Sequence, residues 1–267
     1  MSLTTVAIDP ATTPWFKRTL QSVAFLGAFL IFAVVGSAAS VACFIPAALF
    51  RGVLAHRFGQ KLIHRLFAFF VGYLRGCGFF QLDVGELSAL RDSRGLILVA
   101  NHPSLLDAVF VGSQVPRLVC LMKGRLIRNI VLSGTSRLAG YVHTDSRLGL
   151  VRKCEERLRQ GGNLLIFPEG TRSVDGQMHA FKMGFALIAH LTQSPVQTVV
   201  ITVDSSYLGK GWPLFRKPLF PVRYSLRLGK RFLPIPGEDA RVFGRAIEGY
   251  FQSILSQGAK PAVSSPP

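Results

Sequence analysis

Two short polar segments hold the residue types that could do chemistry. The first, Asn101-His102-Pro103-Ser104-Leu105-Leu106-Asp107, carries a histidine and a carboxylate five positions apart. A backbone turn between them lets the two side chains share one proton, and an imidazole held in that way can act as a general base toward a hydroxyl. The second, Phe167-Pro168-Glu169-Gly170-Thr171-Arg172, adds a guanidinium that suits an anionic substrate. Together the segments predict chemistry on a phosphorylated alcohol.

Each polar segment follows a short apolar run that is typical of a buried strand. These runs are 95–100 and 163–167, and the rest of this region alternates between helical and extended patterns. The expected helices are 105–111 with Ser104 as its N-cap, 148–160, 180–191 and 242–255, and the further expected strands are 196–203 and 224–228. The alternation predicts an α/β fold with a mixed, mostly parallel sheet flanked by helices. Ligands of such sheets collect beyond the carboxyl ends of strands, where both polar segments should lie.

The N-terminal part of the chain has a different character. No charged residue occurs from Gln21 to Phe50, and Lys17-Arg18 and Arg51 bracket this stretch. A helix of that length would be about 45 Å long, against ~30 Å for the hydrocarbon core of a bilayer. The stretch predicts a hydrophobic membrane-associated segment, either one tilted span or a re-entrant hairpin broken near Gly36-Ser37 or Pro46. It is too long and begins too late for a signal peptide, and a buried core helix is the soluble alternative.

A second N-terminal helix is predicted from Arg51 to Arg75. Apolar residues recur along it at every fourth position beside a basic line; they are Leu54, Phe58, Leu62 and Leu66, next to Arg57, Lys61 and Arg65. An apolar stripe flanked by cations is typical of a helix lying at the level of lipid headgroups. The alternative is an ordinary amphipathic helix packed on the domain. If the first segment spans a membrane, the basic flank after it places the C-terminal body on the cytoplasmic side.

The charge balance indicates an anionic partner. The chain has 31 Lys+Arg against 14 Asp+Glu, for a formal net charge of +17, and both nucleic acid and anionic lipid attract such a surface. A hydrophobic share of 49% with 21 Phe favours anionic membrane lipids, and no nucleic-acid partner is expected. The four cysteines and six histidines lack metal-like spacing, so no metal site is predicted.

The two polar segments together resemble the motifs of the glycerolipid acyltransferase family, particularly the bacterial 1-acylglycerol-3-phosphate acyltransferases. His102-x4-Asp107 matches the family's HxxxxD motif, and Phe167 to Ser173 reads FPEGTRS at the family's spacing behind a membrane segment. The resemblance covers about residues 80 to 205. It implies a membrane-associated O-acyltransferase of phospholipid biosynthesis. The fatty acyl group would pass from acyl-CoA or acyl carrier protein to the free hydroxyl of lysophosphatidic acid, with no cofactor beyond that thioester co-substrate.

The resemblance also implies roles for single residues. His102 would be the general base and Asp107 the carboxylate that orients it. The acceptor-binding residues would be Glu169, Gly170, Thr171 and Arg172, with Arg172 on the phosphate. Lys123 and Arg147 would be further phosphate ligands.

Three departures from the family pattern bear on the acceptor. Arg125 stands where the family has a glutamate, the stretch from Gly140 to Arg147 has an extra residue, and the strand from Val199 to Asp204 has no proline. A different acceptor therefore stays open: another lysophospholipid, an aminolipid, or the head group of a specialised lipid or polyene pigment. A non-catalytic lipid-binding protein is the alternative outside enzymes. Neither a G-x-S-x-G elbow nor a GxxxxGK[ST] loop occurs.

The expected organisation has four parts. Residues 1–19 form an N-terminal flank, and residues 20–78 form the membrane-inserted and interfacial helices. Residues 79–255 form the acyltransferase catalytic domain, and residues 256–267 form a disordered tail. The expected location is the bacterial inner membrane, with the catalytic domain on its cytoplasmic side.

Overall fold

A seven-stranded sheet forms the centre of the fold. The computed structural model describes residues 15–50, 52–124, 129, 131–144, 149–174, 177–213 and 216–258. The strands are β1 (Phe80–Asp83), β2 (Ile97–Ala100), β3 (Leu118–Met122), β4 (Val142–His143), β5 (Asn163–Ile166), β6 (Val196–Val203) and β7 (Val222–Phe232). Their order is β1-β7-β6-β2-β5-β3-β4, and all neighbours are parallel except β6 and β7. The predicted mixed, mostly parallel sheet is confirmed.

Helices flank this sheet. They are α1 (Trp15–Leu49), α2 (Val53–Gly76), α3 (Asp107–Gln114), α4 (Ser133–Leu138), α5 (Leu150–Arg159), α6 (Gly184–Thr192) and α7 (Ala240–Gly258), with a 3₁₀ helix at Gly85–Leu90. Helices α1 to α4 pack on one another, and α6 contacts both α5 and α7. Because crossovers between parallel strands are right-handed, α3 and α6 lie on opposite faces of the sheet.

The neighbouring strands β2 and β5 position the two polar segments. All four residues of each strand are buried, which explains why the sequence shows continuous apolar runs there. From β2 the chain continues through α3 to β3, whereas from β5 it continues through α6 to β6, on the other side in the strand order. Because α3 and α6 lie on opposite faces of the sheet, the two connections leave β2 and β5 in opposite directions and create a topological switch point between these strands. Open α/β sheets bind their ligands in the crevice at such a point.

Some local expectations differ from the structure. Ser104 is not the N-cap of α3, because that helix begins at Asp107 after Leu106. The Ser104 hydroxyl donates instead to the Tyr207 carbonyl oxygen at 3.1 Å, and the Ser104 N–H donates to the Asp107 carboxylate at 2.8 Å. The C-terminal helix α7 extends to Gly258, past its expected end at 255 and into the segment expected as a disordered tail. Residues 259–267 lie outside the described part of the chain.

Helix α1 is one unbroken helix. It contains 35 residues and continues through Gly36-Ser37 and Pro46, so the expected alternative of a re-entrant hairpin is not observed. The segment Thr19–Leu49 is long and apolar enough to cross a membrane, a test that core helices and signal sequences also pass. One side of α1 packs on the domain through Phe25 and Ala28, each 1% exposed. Its remaining surface carries exposed aliphatic side chains.

Helix α2 packs on the domain by a face other than the predicted apolar stripe. Its buried apolar residues are Ile63, Phe67, Phe70, Val71 and Leu74. Of the predicted stripe, Leu54 is 82% and Phe58 is 61% exposed, beside the exposed Arg57. Helix α2 is therefore anchored to the protein on one side and presents apolar and basic side chains on another.

Candidate active site

The two polar segments meet at the carboxyl ends of β2 and β5. These strands are paired in parallel with Val99 opposite Ile166, so the residues that follow them emerge side by side. The imidazole of His102 and the ring of Phe167 stack with their centroids 4.0 Å apart and their planes 18° apart. This stacking fixes the plane of the imidazole at the switch point.

His102 and Asp107 form a close pair. The Nδ1 atom of His102 lies 2.8 Å from Oδ2 of Asp107, and the same oxygen accepts the Ser104 N–H at 2.8 Å. The side chain of His102 is 17% exposed, whereas that of Asp107 is fully buried. Because Nδ1 is occupied by the carboxylate, Nε2 is the ring nitrogen left to face a substrate.

The buried carboxyl of Asp107 stands in a low-dielectric environment. Burial raises the pKa of Asp107, while its hydrogen bond with His102 and the N–H of Ser104 act in the opposite direction. Its second oxygen, Oδ1, has no hydrogen-bond partner among the described residues. The hydroxyl of Tyr224 is likewise buried without a partner there, and burial and then the charge of Asp107 raise the pKa of Tyr224.

Glu169 holds the backbone of His102 through a hydrogen bond. Its carboxylate is 3% exposed, and its Oε1 accepts the His102 N–H at 2.9 Å. The other oxygen accepts the His179 N–H at 2.8 Å and the Ser173 hydroxyl at 3.2 Å. The His102 carbonyl in turn accepts the Ser173 N–H at 2.8 Å. The FPEGTRS segment thus holds the histidine on both sides of its backbone.

Arg172 is attached to the loop that connects β6 to β7. One guanidinium nitrogen, Nη1, donates to the carbonyl oxygens of Leu208 and Gly209 at 2.8 and 3.1 Å. The Leu208 carbonyl also accepts the N–H of Leu105. Both motifs therefore share one loop as a partner, and the other guanidinium nitrogens of Arg172 remain as donors for an anion.

The glycine of the second motif brings a lysine close to the site. Gly170 has φ +66°, a left-handed conformation that suits glycine, and a Cβ atom there would lie 2.9 Å from Nζ of Lys182. Lys182 is exposed and takes part in no ion pair with a described carboxylate. Thr171 is partly exposed beside Gly170. This lysine adds a cation to the rim that sequence reasoning did not single out.

The remaining predicted phosphate ligands are placed only in part. Lys123 is exposed directly after β3, which pairs in parallel with β5, so it lies at the same edge of the sheet as His102. Arg147 and Arg125 lie outside the described residues. The catalytic and acceptor-binding roles of the predicted site residues stay predictions.

Sequence reasoning missed the residues that fasten the first motif to the sheet. The Asn101 side chain donates to the Ile201 carbonyl at 2.7 Å and accepts the Ile201 N–H at 2.8 Å. Its side-chain amide therefore forms the two hydrogen bonds with β6 that the backbone of a paired strand residue would form, just beyond the end of β2. An asparagine beside the histidine is visible in the sequence, but its partner is a hundred positions away.

Comparison with known proteins shows what this chain is similar to. Residues 81–202 match the family model described as Acyltransferase. A 1-acyl-sn-glycerol-3-phosphate acyltransferase of Helicobacter pylori is 31% identical over 48% of this chain and 58% of its own length. One of Cocos nucifera is 28% identical over 63% of this chain and 56% of its own length. The chain spans less than two thirds of these relatives.

A solved structure shares the fold. The crystal structure of the 1-acyl-sn-glycerophosphate acyltransferase PlsC from Thermotoga maritima superposes with a TM-score of 0.64 at 22% identity, over 93% of this chain and 99% of that one. The family model and these relatives agree on acyltransferase as the class of protein that this chain is similar to, and the solved structure shows that the fold is shared.

Proposed function

We propose that this protein is a membrane-associated O-acyltransferase. It transfers a fatty acyl group from a thioester, acyl-CoA or acyl carrier protein, to the free hydroxyl of 1-acylglycerol-3-phosphate. The observation that carries the proposal is the His102–Asp107 pair, joined at 2.8 Å at the switch point of the sheet. The match to the acyltransferase family and the names of the relatives support the reaction class.

The geometry suits direct attack of the acceptor on the thioester. Nε2 of His102 takes the proton of the acceptor hydroxyl as its oxygen forms a bond to the thioester carbonyl carbon. The resulting tetrahedral intermediate collapses with cleavage of the carbon–sulfur bond. The departing thiolate then takes the proton back from the imidazolium. Asp107 holds Nδ1–H and stabilises the imidazolium between the two proton transfers.

The acceptor phosphate requires cations at the rim of this crevice. Arg172 retains guanidinium donors that its two carbonyl partners do not use, and Lys123 and Lys182 are exposed at the same edge. We infer that Arg172 contributes both to the position of the β6–β7 loop and to binding of the phosphate. Arg147 remains part of the proposal on the resemblance of its motif.

The membrane location rests on α1 and on the basic surface. Helix α1 would be about 52 Å long, enough for a tilted span. A net charge of +17 suits a surface that lies against anionic headgroups. We propose the bacterial inner membrane with the catalytic domain on its cytoplasmic side. The reaction would serve phospholipid biosynthesis.

The catalytic assignment is tested with purified full chain, acyl-CoA or acyl carrier protein thioesters, and 1-oleoylglycerol-3-phosphate. We expect phosphatidic acid and one free thiol per turnover. His102→Ala should lower kcat by about 10²–10⁴-fold, since the general base is lost. The exposed Lys210→Ala serves as a folding and charge control. Activity of His102→Ala close to that of the wild type would contradict the assignment.

The acceptor is tested with a panel of hydroxyl and amine lipids on the same preparation. A preference for the phosphate monoester of 1-acylglycerol-3-phosphate is expected. A higher kcat/KM for another lysophospholipid, an aminolipid or a specialised lipid would mean that this lipid, and not 1-acylglycerol-3-phosphate, is the acceptor. His102→Ala should remove the activity in either case.

A further inference from the structure

A cluster of arginines lies at the edge of the sheet opposite to the candidate active site. Arg94 precedes β2 and Arg117 precedes β3, whereas His102 follows β2. The four residues of β2 separate the two edges by about 13 Å. The turn between α5 and β5 also reaches this edge, at Gly161. This second edge therefore has its own group of charged side chains, apart from the catalytic residues.

The arginines converge over Gly161. This glycine has φ +80°, and a Cβ atom on it would lie 3.5 Å from both Nη1 of Arg117 and Cδ of Arg94. Helix α2 meets the same turn, because Nδ1 of His56 lies 3.1 Å from Oε1 of Gln160. Arg57 is the next residue along α2. Burial, and then the charges of Arg94 and Arg57, lower the pKa of the Arg117 guanidinium.

The charge of this cluster is not balanced within the described protein. Nη1 of Arg117 is buried and has no hydrogen-bond partner among the described residues. None of the three arginines takes part in an ion pair with a described carboxylate, and the charge of Asp92 offsets only part of the lowering of the Arg117 pKa. Buried guanidinium donors without a partner and adjacent like charges both cost free energy, and an anion would relieve both.

The neighbouring surface indicates where such an anion comes from. Leu54 and Phe58, on the turn of α2 that carries Arg57, are 82% and 61% exposed. An apolar pair on the same helical turn as Arg57 matches a lipid, with its phosphate on the cations and its acyl chains on the apolar side chains. A free phosphate would use the arginines alone.

We propose that Arg94 and Arg117, with Arg57 from α2, form a binding site for the phosphate of an anionic phospholipid. The site is separate from the acceptor site, and its occupant is not turned over. A lipid bound there would fasten the first turns of α2 to the turns before β2 and β3. The choice of a lipid rests on the proposed membrane association, whereas the anion site itself does not.

The test uses purified full chain in a neutral detergent. Dioleoylphosphatidylglycerol, dioleoylphosphatidylcholine and inorganic phosphate are each titrated, and the midpoint of thermal unfolding is recorded. We expect phosphatidylglycerol to raise the midpoint more than either other compound. Arg94→Gln/Arg117→Gln should raise the apparent Kd for phosphatidylglycerol about tenfold. The control Arg231→Gln/Arg245→Gln removes the same charge from exposed positions elsewhere and should change it less than twofold.

Two results would overturn the proposal. Equal losses in the two double variants would show that affinity follows overall charge rather than this cluster. Equal stabilisation by inorganic phosphate and phosphatidylglycerol would overturn the lipid assignment. If the double variant does not fold, Arg94→Gln alone is used, because Arg94 is exposed. The acyltransferase activity of the variant is expected to match that of the wild type. A failure of the lipid-site proposal can therefore be distinguished from a failure of the proposed function.

Discussion

At the level of single residues, the ionised carboxyl of Asp107 is expected to lower the stability of the folded protein and to serve the proposed reaction. Its carboxyl is fully buried, and burial raises its pKa. The folded protein therefore binds this proton more readily than the unfolded chain does. The stability that this carboxyl contributes is fully present below the pKa that Asp107 has in the unfolded chain. It is lost as the pH rises through the higher pKa that Asp107 has in the folded protein. In the proposed mechanism acyl transfer requires the ionised form of Asp107, so we expect activity and stability to respond to pH in opposite directions.

Asp107→Asn should separate these two properties. The amide can still accept the Ser104 N–H, but it carries no charge to stabilise an imidazolium at His102. We expect kcat to fall about 10²–10⁴-fold, while the free energy of unfolding at neutral pH is unchanged or higher. Denaturation at several pH values should also show a weaker rise in stability toward acid than in the wild type. A variant that loses stability and activity together would indicate a purely structural role.

Glu169 has two competing interpretations, and one substitution distinguishes them. The resemblance implies that it binds the acceptor, whereas the structure engages both of its oxygens with backbone N–H groups of His102 and His179. In Glu169→Gln an amide NH₂ would face one of these donors, which should cost about 1–3 kcal/mol. A positioning role predicts a lower kcat with an unchanged KM for the acceptor. A raised KM with unchanged kcat would favour acceptor binding.

Glu155→Gln is the matched control for that experiment. Among the described residues its carboxylate pairs only with Arg159, at 2.7 Å and i,i+4 spacing on the surface. Such pairs contribute about 0.3–0.5 kcal/mol. Its kinetics should therefore equal those of the wild type.

At the level of elements, glycine permits a close helix contact between α2 and α4. Helix α2 approaches α4 at Gly59, where a Cβ atom would lie 2.4 Å from the backbone nitrogen of Ala139. The Gln60 side chain donates to the Ala139 carbonyl at 3.1 Å in the same contact. Backbone atoms cannot move aside as a flexible side chain can. The position of α2 on the domain therefore depends on the lack of a side chain at residue 59.

Gly59→Ala should displace α2 and lower the free energy of unfolding by about 1–3 kcal/mol. Gly72→Ala in the same helix is the control, because a Cβ atom there meets nothing within 4 Å. That change should raise stability by about 0.5–1 kcal/mol through helix propensity. Thermal unfolding of both variants measures the difference. Equal midpoints would mean that α2 does not rest on α4 as observed.

At the level of the whole molecule, α1 is joined to the catalytic domain by aromatic packing. Phe25 is 1% exposed, and its ring centroid lies 5.3 Å from that of Phe79 and 4.8 Å from that of Phe220. Tyr207, at 5.8 Å, belongs to the loop that also receives Arg172. The membrane segment proposed here is thus in contact with the loop that supports both motifs.

Phe25→Ala should lower the free energy of unfolding by about 3–5 kcal/mol in a neutral detergent. It should also lower activity, because the β6–β7 loop loses its packing partner. Phe69→Ala is the control, since Phe69 is 63% exposed and should change stability by less than about 0.5 kcal/mol. Chemical denaturation and the acyl transfer assay measure the two effects. Identical behaviour of the two variants would show that α1 does not pack on the domain in solution.

Local sequence signals were sufficient for the central strands and for the class of fold. The buried strands β2 and β5 lie in short apolar runs, and β6 is rich in Val, Ile and Thr, so all three are recognisable without tertiary information. Strands β1, β3 and β4 and helix α4 were not predicted. They are short, from two to six residues, so they offer too few positions for a periodicity to be recognised. The N-cap expected at Ser104 was wrong because α3 begins only at Asp107, with Leu106 at the N-cap position.

The sequence by itself determined that His102 and Asp107 form a pair, because they lie within one turn and their pairing is a local property. It also determined the apolar N-terminal segment and the alternation of strands and helices. Only the tertiary structure decided which residues hold His102 in place and which arginines lie close to one another. The Glu169 support, the Arg172 attachment to the β6–β7 loop and the Arg94–Arg117 cluster all join distant parts of the chain. Such contacts depend on the order of the strands and on the direction of the crossovers, and neither can be predicted from a local sequence pattern.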